Sequence, residues 1–266
     1  WICGVKGLFM VNPRTDFIPS PVQITEMQIN GNSYADDYKL KSDSTLYLKS
    51  NENTITFRFT SLGYEKPELI KYEYKLQGKD STWIALTNED KVSYFDLPAG
   101  EYACYSIRLK SNIHLYLEQG ARIIAAFPEK DKGYDMAEPN EHNKYQDFGH
   151  SHWKNSLIWG IGLENITISG PGLIYGKGLT REESRLPGVG NKAISLKDCR
   201  NVTLKDFSML HCGHFALLAT GVEHLTLLNL KVDTNRDGFD IDCCRNVRIK
   251  VGGQAVLGRQ RSCATP

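Results

Sequence analysis

The sequence predicts an all-β protein: an antiparallel β-sandwich over the first hundred residues, then a parallel β-helix. Three observations carry that expectation. Residues 1–103 break into short segments of alternating polar and apolar character, helical periodicity is absent, and an asparagine-and-aliphatic phrase recurs after Tyr105. Alternation with a period of two is the mark of strands, and a phrase recurring every 20–50 residues is the mark of stacked coils.

In the first half, Val22–Ile29 and Thr54–Phe59 alternate cleanly, and Tyr72–Leu76 and Val92–Phe95 continue the pattern. Clusters of Gly, Asn, Asp and Pro separate these runs at short intervals, which suggests antiparallel strands joined by tight turns. In the second half, Asn112-Ile113-His114-Leu115, Asn165-Ile166-Thr167-Ile168, Asn201-Val202-Thr203-Leu204, His224-Leu225-Thr226-Leu227 and Asn246-Val247-Arg248-Ile249 are five copies of one phrase. Stacked coils share a continuous core, with alternate strand residues turned inward. The longer gaps hold loop-like segments, one from about Pro128 to Trp153 and another including Lys177 to Gly190. The asparagines either stack as ladders at the coil corners or act as independent turn residues.

The bulk numbers exclude some classes of function. At 266 residues the chain can form one large or two modest domains. With 32 basic and 31 acidic residues it lacks the basic excess of a nucleic-acid binder. No apolar run reaches the length of a membrane span. The seven cysteines, Cys3, Cys104, Cys199, Cys212, Cys243, Cys244 and Cys263, match no zinc-binding spacing and read as scattered thiols. If Cys243 and Cys244 lie in a strand they point to opposite faces, which disfavours a shared metal. No metal and no cofactor is expected.

The chemistry is expected in Asn235-Arg236-Asp237-Gly238-Phe239-Asp240. Gly238 would allow a sharp turn after Asp237, Phe239 and Ile241 would face the core, and Asp240 and Asp242 would lie outward. Clustered carboxylates suit glycosidic cleavage, where one acid protonates the leaving oxygen and another activates water. Turn chemistry and calcium binding are the alternatives for the same acids. His150, His152, His211 and His214 are candidates for lining a groove, against ordinary buried or surface roles.

Two family resemblances sharpen these expectations. Tyr72–Asp80, Trp83, Val92-Ser93-Tyr94 and Leu97–Tyr102 resemble the three-tyrosine (Y_Y_Y) domain of hybrid two-component regulators, over about 15–103. That resemblance implies an Ig-like sandwich, and residues 1–14, with Trp1–Gly4 and Gly7-Leu8-Phe9, look like the remnant of the sensor-propeller blade that precedes such domains. The tyrosines read as structural, burying a face and hydrogen-bonding at one end. From about 98 to 249, Ala99–Tyr102, Ser106–Ile113, Leu117–Ala121, Asn165–Gly176 and Asp233–Asp240 resemble glycoside hydrolase family 28, the polygalacturonases. That resemblance implies a right-handed parallel β-helix and inverting hydrolysis of pectic or other acidic polysaccharide. Asn235 and Asp237 fall on the family's N-T-D motif with Arg236 in place of Thr, so Asp237 is the expected catalytic residue. Asn235, Arg236 and Asp240 are the expected substrate-binding residues; Arg236 can grip an anionic substrate with two hydrogen bonds.

Departures from the family pattern shape the expected organisation. The paired aspartates, the G-H-G histidine and the R-x-K motif that follow N-T-D in the family are absent. The expected domains are 1–14, a sandwich over 15–103, a partial β-helix over 104–250 and a non-native-looking tail over 251–266. A frameshift near Leu257 would account for that tail. The chain reads as a fragment of a periplasmic or secreted hydrolase with little activity as given. The alternative is a sensing or linking module of a two-component regulator without catalysis.

Overall fold

Two sheet grammars divide the chain after Asp96, into compact units of residues 1–96 and 97–266. The computed structural model describes residues 2–4, 7–9, 12–14, 22–33, 52–61, 70–77, 80, 83–86, 90–141, 149–182, 186–234 and 236–250. Its described elements are all strands. The 251–266 tail and its frameshift reading lie outside the described residues, as does Asn235.

In the first unit, β1 (Ile2–Gly4) and β2 (Gly7–Phe9) pair antiparallel. Strand β3 (Asn12–Arg14) belongs to a second sheet. The longest sheet of this unit contains β4 (Val22–Ile29), β5 (Asn32–Ser33), β6 (Thr54–Ser61) and β9 (Lys91–Leu97), in the order β5-β4-β6-β9. Strands β7 (Lys71–Tyr74) and β8 (Ile84–Ala85) join β3 in the order β3-β7-β8. The β4–β5 hairpin turns on Asn30 and Gly31, both with positive φ, at 50° and 79°. Two such residues make the turn whose twist matches a hairpin.

Both antiparallel sheets contribute to one core: Met27, Phe57, Phe59, Val92 and Tyr94 from the longer, Tyr74 from the shorter. The rings of Tyr74 and Tyr94 meet edge-on at 6.3 Å. Each buried hydroxyl needs a partner. Tyr94 donates to Asp80 Oδ2 at 2.7 Å, and the same oxygen accepts the Leu76 amide at 2.7 Å. Tyr72 accepts the Ser61 amide at 3.0 Å. The tyrosines therefore do structural work.

The described part of the second unit is five stacked coils. The first has β10 (Gly100–Cys104), β11 (Ile107–Arg108) and β12 (Ile113–Leu117). The second has β13 (Ala121–Ala125), β14 (Ser156–Ile161) and β15 (Glu164–Ser169), and the third β16 (Leu173–Tyr175), β17 (Lys192–Lys197) and β18 (Arg200–Lys205). Then come β19 (Ser208–Leu210), β20 (Phe215–Thr220) and β21 (Glu223–Leu228), and finally β22 (Lys231–Asp233), β23 (Asp237–Asp242) and β24 (Arg248–Lys250). Equivalent strands pair in parallel, as β10-β13-β16-β19-β22, β11-β14-β17-β20-β23 and β12-β15-β18-β21-β24. Strand β10 belongs to this unit through its pairing with β13.

Register converts the repeated phrase into columns. Ile107, Ile158, Ile194, Leu217 and Phe239 stack in one. Leu115, Ile168, Leu204, Leu227 and Ile249 stack in another. Ile158, Ile168, Ile194 and Leu217 are completely buried. A buried aliphatic of this kind contributes roughly 1.5–3 kcal/mol.

The phrase's first residue sits at a corner in the left-handed region: Asn112, Asn165, Asn201, His224 and Asn246 all have φ between 54° and 58°. Asparagine tolerates that conformation because its short amide can hydrogen-bond locally. The ladder reading holds in the structure. Asn165 donates to Asn112 Oδ1 at 2.7 Å and Asn201 to Asn165 Oδ1 at 3.0 Å. Higher up, Asn246 lies 3.2 Å from His224 Nε2, so the histidine copy occupies a rung of the same row.

Candidate functional site

The strands that begin at Ser156, Lys192, Phe215 and Asp237 share a register, so these residues form the opening column of the second sheet. Just before them runs a polar corner. The Asn191 amide donates to the Asn155 carbonyl at 3.1 Å, the His214 amide to Asn191 at 2.7 Å, and the Asp237 amide to His214 at 3.3 Å. Side chains repeat the pairing: Asn155 Nδ2 donates to Asn191 Oδ1 at 3.2 Å. Lys192, fully buried, donates to Asn155 Oδ1 at 3.0 Å and also to Asn191 Oδ1.

Asp237 stands at the top of this corner with its side chain half exposed. Arg236 Nε lies 3.8 Å from Asp237 Oδ2. The same guanidinium donates to the Arg181 carbonyl at 2.9 Å and meets His214 Nδ1 at 2.8 Å. Arginine only donates, so Nδ1 must accept and carries no proton in this pairing. Arg236 is thus braced at one end and presents the rest of its fork beside the acid.

Asp240 sits differently from the expectation of an open outward acid. It is buried, and His150 Nε2 lies 2.8 Å from its Oδ2. The residues around His150 cover this part of the sheet. Trp153 packs on Phe215 and Leu218, its indole donates to Thr220 at 3.2 Å, and Lys197 lies 4.2 Å from its ring centre. Phe239 and Ile241 are buried as expected, while Asp242 is half-buried at the strand end. Gly238 lies inside β23, so the reversal expected there does not occur.

Of the other histidines, His152 is buried and bonds Ser151 Oγ at 3.0 Å, and His211 turns a corner at φ 50° against Tyr175. Cys243 and Cys244 correct the strand expectation. They follow β23 in a turn, Cys243 at φ 52°. Cys244 Sγ donates to the Ala219 and Asp242 carbonyls at 3.4 and 3.3 Å. Burial pushes the Cys212 thiol up to about 12. Among the described residues no group of three or more His, Cys, Asp or Glu could hold a metal ion. No helix there is long and apolar enough to cross a membrane.

Sequence reasoning missed the Lys192 cluster and both histidine pairings. The signal for Lys192 was present, as a lone cation opening the strand Lys192-Ala193-Ile194-Ser195-Leu196. His150 and His214 were named only as groove candidates. Their partners lie 90 and 22 positions away, and only the coil register brings them together.

Residues 63–105 match the family model of the Y_Y_Y domain. The Y_Y_Y match covers the β7–β9 part of the first unit and runs on through β10. No curated protein matches the chain. Among solved structures it is similar to a provisionally assigned glycosyl hydrolase from Parabacteroides merdae, at 19% identity and a TM-score of 0.45. That match covers 64% of this chain and 74% of the other. The polygalacturonase from Erwinia carotovora aligns at 19% identity and a TM-score of 0.44, covering 59% of this chain and 46% of that one. The family 28 exopolygalacturonase from Yersinia enterocolitica aligns at 14% identity and a TM-score of 0.42, covering 87% and 62%. The chain thus spans less than two thirds of either polygalacturonase.

Proposed function

We propose that the second unit is the β-helix of a polygalacturonase-type glycoside hydrolase, acting on pectic or another acidic polysaccharide in the periplasm or outside the cell. The first unit is its Ig-like Y_Y_Y companion. The observation that supports this reading most directly is the exposed Asp237 at the head of β23, with the braced Arg236 beside it. Asp237 activates water in this reading, and Arg236 draws in a sugar carboxylate through a charge-assisted hydrogen bond.

Inverting hydrolysis needs a second carboxyl group roughly 6.5–9.5 Å from the first. The neighbouring acid on β23, Asp240, is buried against His150. The 266-residue chain is therefore expected to bind polygalacturonate but release almost no reducing sugar. Retention on immobilised polygalacturonate, reduced by Arg236→Ala, checks the reading. Absence of retention, or equal retention on a neutral polysaccharide, overturns it. Clear turnover that disappears in Asp237→Asn would keep the hydrolase and overturn its inactivity.

The Y_Y_Y match favours a second reading, a sensing or linking module of a two-component regulator without catalysis. It predicts no retention on polygalacturonate, so the same experiment separates the two.

A further inference from the structure

The two long excursions of the second unit meet away from Asp237. The Tyr134 amide of the first donates to the Gly188 carbonyl of the second at 3.0 Å. Beside this junction is a cavity of about 250 Å³, lined among others by Asp135, Met136, His152, Asn155, Leu186 and Val189. Neither Asp237 nor Asp240 lines it.

Its chemistry is two-sided. Met136 and Leu186 are 67% and 70% exposed; the other exposed large apolar side chains among the described residues are Phe127 and Ile249. An exposed apolar rim on a concave site is the usual sign of a ligand surface. The deeper wall is polar: His152 and Asn155 are each only 2% exposed. The Asp135 carboxylate is fixed in orientation by Arg108, at 2.6 and 2.8 Å, and by Trp159 Nε1 at 2.8 Å. Hydrogen bonds from Arg108, supported by that from Trp159, hold its carboxyl below the usual carboxylate range. The remaining acid of the lining, Glu138, accepts the Trp153 and Lys154 amides at 2.8 and 3.0 Å and serves the backbone.

A sugar ring matches this combination, with an apolar C–H face for the rim and hydroxyls for a fixed carboxylate and an amide. The volume, below the roughly 300–1,000 Å³ of drug-sized sites, suits a single ring. Distance separates it from the acid. Asn155, Asn191, His214 and Asp237 are successive steps of one backbone ladder, at about 4.8 Å each, so about 14 Å divides Asn155 from Asp237. One ring in the cavity does not reach the carboxylate.

We propose that this cavity binds a single pyranose unit, neutral or uronic, independently of the chemistry at Asp237. The proposal does not depend on the hydrolase reading. Calorimetry and saturation-transfer NMR on the 266-residue chain, with methyl α-galactopyranoside and with galacturonic acid, test it. Saturable binding of at least one sugar is expected, and preference between the two reveals whether a carboxylate is recognised. Val189→Trp, which adds bulk to the lining, is expected to weaken binding about tenfold or more. Should that variant fold poorly, Leu186→Ala on the exposed rim is expected to weaken binding several-fold with an unchanged melting temperature. Binding of neither sugar, or insensitivity to both the Val189 and the Leu186 variants, overturns the proposal.

Discussion

The first unit takes its register from hairpin turns and mixes phenylalanine and tyrosine rings with aliphatics in its core; the second takes its register from repeated corners and stacks aliphatic columns. In the first, Tyr74 and Tyr94 carry hydroxyls inside, so the buried carboxylate of Asp80 is built in to receive one. In the second, the columns through Ile194 and Leu204 need no polar partner, and the Asn112–Asn165–Asn201 row sets a line of polar pairing at a corner. One core carries hydroxyls that must be satisfied, whereas those columns carry none. Damage to the two should therefore differ in kind.

The largest expected effect breaks a hydrocarbon column. Ile194 is fully buried between Ile158 and Leu217, and Ile194→Ala should cost about 3–4 kcal/mol, read as a lower urea midpoint with an unchanged slope. Next comes the corner row. Asn165 is bonded on both sides at φ 56°, and Asn165→Ala should cost about 2–3 kcal/mol. Asn165→Gly sharpens the result, because it keeps the backbone angle and loses only the bonds; a cost equal to that of alanine would show that strain contributes nothing.

The smallest effect is in the first unit. Tyr94→Phe removes one donor from Asp80 and should cost about 1–2 kcal/mol at neutral pH. Its signature is in alkali. Burial, then the charge of Asp80, raises the Tyr94 hydroxyl well above its ordinary range. A raised folded value means that this stabilisation is complete below about pH 10 and is lost as pH rises through the folded value. Tyr94→Phe should therefore flatten the alkaline loss measured by denaturation across that window. Cys212 gives the second unit an earlier onset, from about pH 8.5 towards its folded value of about 12.

Much of the second unit was legible because its signal is periodic. Each Asn of the phrase marks a left-handed corner and each aliphatic three places later marks a column, so Asn165-Ile166-Thr167-Ile168 gives a rung directly. His224 was legible as a copy of the phrase, although its pairing with Asn246 was not. The site was less legible. The exposure of Asp237 follows from its place at a strand start, but the covering of Asp240 depends on His150, in an excursion with no period to read. The fixed Asp135 and the apolar rim of the cavity were hidden for the same reason. Cys243-Cys244 misled because a turn at a coil corner has no special residue type when a cysteine adopts the positive φ.

The corners of the coils are unequal in what they tolerate. In the three middle coils the second and third strands are joined through Gly162-Leu163, Asp198-Cys199 and Gly221-Val222, two residues each, whereas in the same coils the first and second are joined by 126–155, 176–191 and 211–214. Across these coils length varies freely at one vertex of the triangle and is constant at another. Evolution can thus rewrite the chain beside Asp237 by insertion without shifting a single rung, and new selectivity can arise there on an unchanged spool.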